Sequence, residues 1–240
     1  MSNKQKLEIY ELNENDMNLN YFHFTLENNL DNIIVDGLLP KIGKHATLIE
    51  KTPKVFFVKG LNNLLILFDC WINVWKKVPI VSFTYGIGSK LMKVKWFPKI
   101  FVDIYFKITK NSKLHKKNAY KIFDELLNKS VLLNLNLIEG KDFDKFDIDE
   151  IKSSEYSKSH LIILGYSKEY SDIDNIVMDE WNMHTLSNIG VSADKIKLCS
   201  INGSIKMKDI LLFALKKRNL NLEKVCPILY EYLKDRDFIF

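Results

Sequence analysis

Residues 21–60 run YFHFTLENNLDNIIVDGLLPKIGKHATLIEKTPKVFFVKG, and this block decides the architecture. Tyr21-Phe22-His23-Phe24-Thr25 alternates as a short strand, with Phe22 and Phe24 on one side and His23 and Thr25 on the other. Glu27 to Asp36 has helical spacing, with Leu30, Ile33 and Ile34 on one face and Thr25 ahead of it as a candidate N-cap. Gly37 supplies the C-cap, and Pro40 prevents continuation. Lys54 to Val58 forms a second, aromatic strand after Pro53, and Leu61 to Lys77 a mostly apolar helix that ends before Pro79.

Beyond this block, Phe101 to Lys107 alternates as a strand. Lys116 to Asn128 is an amphipathic helix that points Ala119, Ile122, Phe123, Leu126 and Leu127 inward. Val131 to Ile138, His160 to Leu164 and Ile196 to Ile201 are further strands. Two helices, Met207 to Lys217 and Leu222 to Lys234, close the chain, and Met1 to Leu12 is a polar lead-in. Helices and strands mix without βαβ alternation, which predicts an α+β fold with largely antiparallel sheets. Residues 1–205 are expected to form the main domain and 206–240 a C-terminal helical extension packed on it.

Composition removes several function classes. The chain has 240 residues, 47% of them hydrophobic and 27% charged, enough for a large core without disulfides or metal. No run of about 18 apolar residues exists, so no membrane span is expected. Net charge is +5, but Arg218 and Arg236 are the only arginines, and phosphate recognition favours the guanidinium fork. Cys70, Cys199 and Cys226 are odd in number and scattered in apolar runs, which suits buried free thiols rather than a zinc site. The polar N-terminus shows no apolar core of a secretion signal, and a cytoplasmic location is the expectation. P-loop, HExxH and GxSxG motifs are absent, and Gly86-Ile87-Gly88 lacks the third glycine of a dinucleotide fingerprint.

The order strand with His, short helix, Gly37-Leu38-Leu39-Pro40, polar loop and aromatic strand resembles the start of the ADP-ribosyltransferase-like fold, which also contains RNA 2′-phosphotransferases. A looser resemblance runs from Met178 to Ile201, around Asp179-Glu180-Trp181 and Val191-Ser192-Ala193-Asp194-Lys195-Ile196. The resemblance implies split antiparallel β-sheets with flanking helices, NAD as substrate, and transfer of ADP-ribose to a macromolecular acceptor. Breaking the nicotinamide–ribose bond passes through an oxocarbenium-like centre. Such an enzyme must fix the nicotinamide riboside, stabilise positive charge on the sugar, and orient a nucleophile.

The resemblance makes His23 the histidine that hydrogen-bonds the NAD ribose and positions nicotinamide; taken alone, His23 reads as a histidine on a solvated strand face. Thr25 lines the same pocket or caps the helix. Phe56 or Phe57 stacks on nicotinamide, or both fill the core. Glu180 is the candidate catalytic carboxylate, with Asp179 as the fallback, or the two are a solvated acidic pair. His184, with Thr185, is a second candidate at the pocket or a loop histidine. His45, with Lys44, contacts the pyrophosphate or belongs to a solvated loop.

The remaining signals have structural readings. His115 sits in a basic run, and His160 precedes an apolar strand. The acidic stretch from Asp142 to Glu150 lacks the glycine and closing glutamate of a calcium loop. Trp71 and Trp75 belong to packing, and Asp69 in the same helix needs a partner. The other readings of the whole are an inactive binding module of the same fold and an RNA 2′-phosphotransferase-like enzyme. Missing arginines before residue 218 weigh against the latter.

Overall fold

A computed structural model describes residues 6–41, 54–76, 113–143, 183–187 and 190–238. Their strands are β1 (Glu8–Glu11), β2 (Tyr21–Leu26), β3 (Lys54–Lys59), β4 (Ser130–Leu135), β5 (Met183–Ser187) and β6 (Ile196–Ser200). The helices are α1 (Leu30–Asp36), α2 (Gly60–Lys76), α3 (Lys113–Lys129), α4 (Met207–Lys217), α5 (Leu222–Val225) and α6 (Pro227–Lys234). The expected strands Phe101 to Lys107 and His160 to Leu164 lie outside the described residues.

The six strands join in the order β1-β6-β4-β2-β3-β5. Every pairing is antiparallel except β1 with β6. The mixed, mostly antiparallel sheet with helices packed against it is an α+β arrangement. Among the described residues no helix is long and apolar enough to cross a membrane.

Strand alternation divides the core into two layers. Phe22, Val58, Leu132 and Cys199 pack against α2, α3, α4 and α6. Tyr21, Val55, Phe57, Leu133, Leu135 and Ile196 face the opposite layer, where Ile33, Leu38 and Phe143 cover them. β4 lies between covered faces and is buried along its whole length, Asn134 included. Leu61, Leu64, Leu65, Phe68 and Ile72 of α2 are essentially inaccessible. Each such side chain contributes about 1.5–3 kcal/mol of transfer free energy.

Asn62, Asn63 and Asp69 of α2 each have a hydrogen-bond partner in the protein. Asn62 donates to Asn18 Oδ1 at 2.9 Å, and Asn63 donates to the Lys59 carbonyl at 2.6 Å. Asp69, 4% exposed, accepts from the backbone N–H groups of Ile228 and Leu229, both at 2.7 Å. These donors open α6, where no preceding turn satisfies them, so the buried carboxylate acts as a cap supplied from another helix. The same contact anchors the C-terminal helices in the main core, and Tyr232 ties them to α3 through its hydroxyl, which donates to Asp124 at 2.6 Å.

Several expectations are corrected. The N-terminal lead-in contains a strand: β1 runs parallel to β6, and Glu11 accepts from the Ser200 hydroxyl and the Asn202 amide. The last predicted helix is two, because Pro227 cannot continue α5 and instead begins α6. Ile122 is 38% exposed, and Tyr120 takes the inward place beside Phe123. Thr25 does not cap the helix; a 3-10 turn, Glu27–Asn29, leads into α1, and Leu26 stands at its cap without a side-chain bond.

Candidate functional site

β2 and β3 pair through only two register positions, Tyr21 with Lys59 and Phe22 with Val58. Beyond Phe22 they part. β2 continues its ladder with β4 as far as Leu26 opposite Ser130, while β3 continues with β5 from Val58 down to Lys54. The sheet is thus open on one side of the Phe22–Val58 pair, and α1 lies beside the gap.

The chain stays beside the gap because α1 ends abruptly. Gly37 has φ +73° and ψ −163°, a conformation that essentially only glycine adopts. It turns Leu38 into an antiparallel bridge with Val191, with N–H···O distances of 2.8 and 2.9 Å. Gly190 is the other half of this clasp: a Cβ there would stand 2.7 Å from the Leu38 carbonyl oxygen.

The result is a cleft of about 350 Å³ between β2, β3 and α1, lined by His23, Thr25, Asn29, Asp36, Lys41 and Phe56 among others. That volume lies within the usual range for small-molecule sites. His23 stands where the strands separate, and its Nδ1 is 2.7 Å from the Phe56 carbonyl oxygen. A carbonyl only accepts, so Nδ1 carries the proton and the neutral ring keeps its lone pair on Nε2. The imidazole therefore replaces a main-chain ladder bond and offers an acceptor.

Burial pulls the His23 pKa below 6.5, with the Phe56 carbonyl opposing in part. An unfolded chain then binds more protons than the folded one from pH 6.5 down to the folded pKa. The stability contributed by neutral His23 is complete above pH 6.5 and is lost as pH falls through that window. The urea midpoint of the wild type should accordingly approach that of His23→Gln between about pH 7.5 and about pH 5, and a constant gap would contradict this.

Phe56 lines the cleft, whereas Phe57 is 2% exposed and packs edge-on between Tyr21 and Phe143, with ring centroids 5.5 and 5.3 Å away. Phe57 is a core residue in this arrangement. Thr25 shares the cleft with His23 and is 8% exposed. His184 is in β5, in register with Phe57. Glu180 and His45 lie outside the described residues, as do Asp179, Lys44 and His160. Of the acidic stretch, Asp142 is described and pairs with Lys195, while the part beyond Phe143 is outside. Among the described residues no three His, Cys, Asp or Glu side chains gather as a metal site.

The sequence does not single out Asn29, Asp36, Lys41 or the Phe56 carbonyl. Asn29 had a signal: it stands four residues after Thr25, across the strand-to-helix turn, and its amide donates to the Thr25 hydroxyl at 3.0 Å. The Phe56 carbonyl had none, since main-chain partners leave no mark on residue identity.

Comparison with protein-family models, with curated proteins and with solved structures finds no match to this chain.

Proposed function

We propose that the chain is an ADP-ribosyltransferase-like enzyme that binds NAD in the cleft between β2, β3 and α1 and transfers ADP-ribose to a macromolecular acceptor. The observation that carries this reading is His23, held by its Nδ1 at the point where the two strands part and lining a cleft of ligand size. The family resemblance of residues 21–60 suggests NAD as the ligand, and the volume of the cleft supports the reading.

In this reading His23 Nε2 accepts a hydrogen bond from a ribose hydroxyl of NAD. Its ring is immobilised before the ligand arrives, so little ordering cost remains to be met on binding. Phe56 holds the His23 ring through its carbonyl, and Glu180 supplies the carboxylate that stabilises the developing cation. The bond from the anomeric carbon to the nicotinamide nitrogen breaks, and its electron pair leaves with nicotinamide. The acceptor nucleophile then forms the new bond at that carbon and gives up its proton.

The test is nicotinamide release from NAD by the purified chain, with cell lysate as the source of acceptors. Release coupled to label transfer from NAD onto a macromolecule is the expected result. Binding of NAD without release would leave a binding module, and neither binding nor release at millimolar NAD would overturn the proposal.

A further inference from the structure

The cleft floor has a definite hydrogen-bond polarity. A hydroxyl has one proton to give and two lone pairs to receive. Asn29 Nδ2 occupies a lone pair of Thr25 Oγ1 at 3.0 Å, and among the described residues the Thr25 proton has no acceptor. His23 presents the opposite polarity, because its single proton is engaged by the Phe56 carbonyl and Nε2 only accepts. The two residues are two positions apart on one strand, share a face, and line the same cleft. Their backbones are therefore roughly 6–7 Å apart along the strand.

We infer that Asn29 is a positioning residue that holds the Thr25 hydroxyl as a donor, so that the floor selects a ligand giving a hydrogen to His23 and accepting one from Thr25. The ligand class is any molecule carrying an O–H or N–H donor that meets His23 and, roughly 6–7 Å from it, an acceptor oxygen that meets Thr25. Applied to NAD, an assignment that rests on the function proposed above, these are a ribose hydroxyl and the carboxamide oxygen of nicotinamide. Asn29 touches Thr25 and acts on the ligand through it. Being exposed, Asn29 can be replaced without opening the core.

The experiment has two arms. In the ligand-free protein, the side-chain NH₂ resonances of Asn29 should shift when Thr25 is replaced by valine; unchanged resonances would overturn the inference. In the second arm, NAD affinity is titrated for Asn29→Leu and Asn29→Asp, with melting temperature as a check on folding. Leucine frees the hydroxyl to rotate, and a loss of about threefold is expected; aspartate captures the Thr25 proton, and about tenfold is expected. In a Thr25→Val background both effects should shrink to within about twofold, which separates hydroxyl polarity from the added charge. Equal losses with and without the Thr25 hydroxyl would overturn the inference. If the resonances shift and the wild type binds no NAD, the NAD assignment falls and the donor–acceptor floor stands.

Discussion

Replacing His23 with alanine is expected to lower nicotinamide release from NAD by about 100-fold or more. The change removes two functions together. The Nε2 acceptor proposed to meet the ribose is lost, and so is the ring that closes on the Phe56 carbonyl at 2.7 Å. Without that ring, β2 and β3 have no ladder pairing beyond Phe22–Val58 to hold them together, and the cleft walls lose their spacing. Misplacement of a reacting group by about 1 Å costs on the order of 100-fold in rate. The assay is initial-rate nicotinamide release, compared with a melting curve of the same variant. A variant that melts like the wild type and still turns over within a few-fold of it would remove His23 from the site.

Gly37→Ala is expected to carry the largest cost in stability, about 3 kcal/mol. The residue has φ +73° and ψ −163°, a region disfavoured for any L side chain, and a Cβ there would overlap the Val191 carbonyl oxygen. Relief requires moving backbone on both sides, because Leu38 and Val191 are bridged in both directions. For a chain of this size, about 3 kcal/mol corresponds to a fall of roughly 6–12 °C in melting temperature. The same displacement moves Leu38 and Leu39 at the cleft, so NAD affinity should fall with it. An unchanged melting temperature would mean that the clasp between α1 and Val191 does not constrain the fold.

The elements that were legible in the sequence are those whose side chains carry a periodic signal. β2, β3, α2 and α4 each show regular spacing of apolar residues or a clear terminator, and Gly37 announces the end of α1. β1 was not legible, because Glu8-Ile9-Tyr10-Glu11 has no apolar face to speak of; it is held by a parallel main-chain ladder to β6 and by Glu11 at the 201–204 turn. The break between α5 and α6 was present in Pro227, but the apolar spacing from Leu222 to Leu233 continues across it and masks it. Asp69 announced a need for a partner, while the partner itself, the start of a helix 160 positions later at Leu229, is a matter of tertiary packing.

The candidate site divides along the same line. His23 and Thr25 were legible as neighbours on one strand face. The surroundings of Phe56 and Phe57 were not, because alternation permits either to face α1; Phe57 is enclosed by Tyr21 and Phe143, and Phe56 meets His23 through its carbonyl. The opening of the sheet at His23 is a property of which backbone groups remain paired, and residue identity does not encode it directly.

The proposed binding of NAD against His23 is tested most directly by NMR of the histidine side chains in ¹⁵N-histidine-labelled protein during an NAD titration. The chain has 5 histidines, so a His23→Gln sample assigns the resonance. Nδ1 of His23 is expected to be protonated before and after addition, and Nε2 to shift on binding as it accepts a hydrogen bond. A His23 ring that carries its proton on Nε2, or that stays unmoved at millimolar NAD, would contradict it.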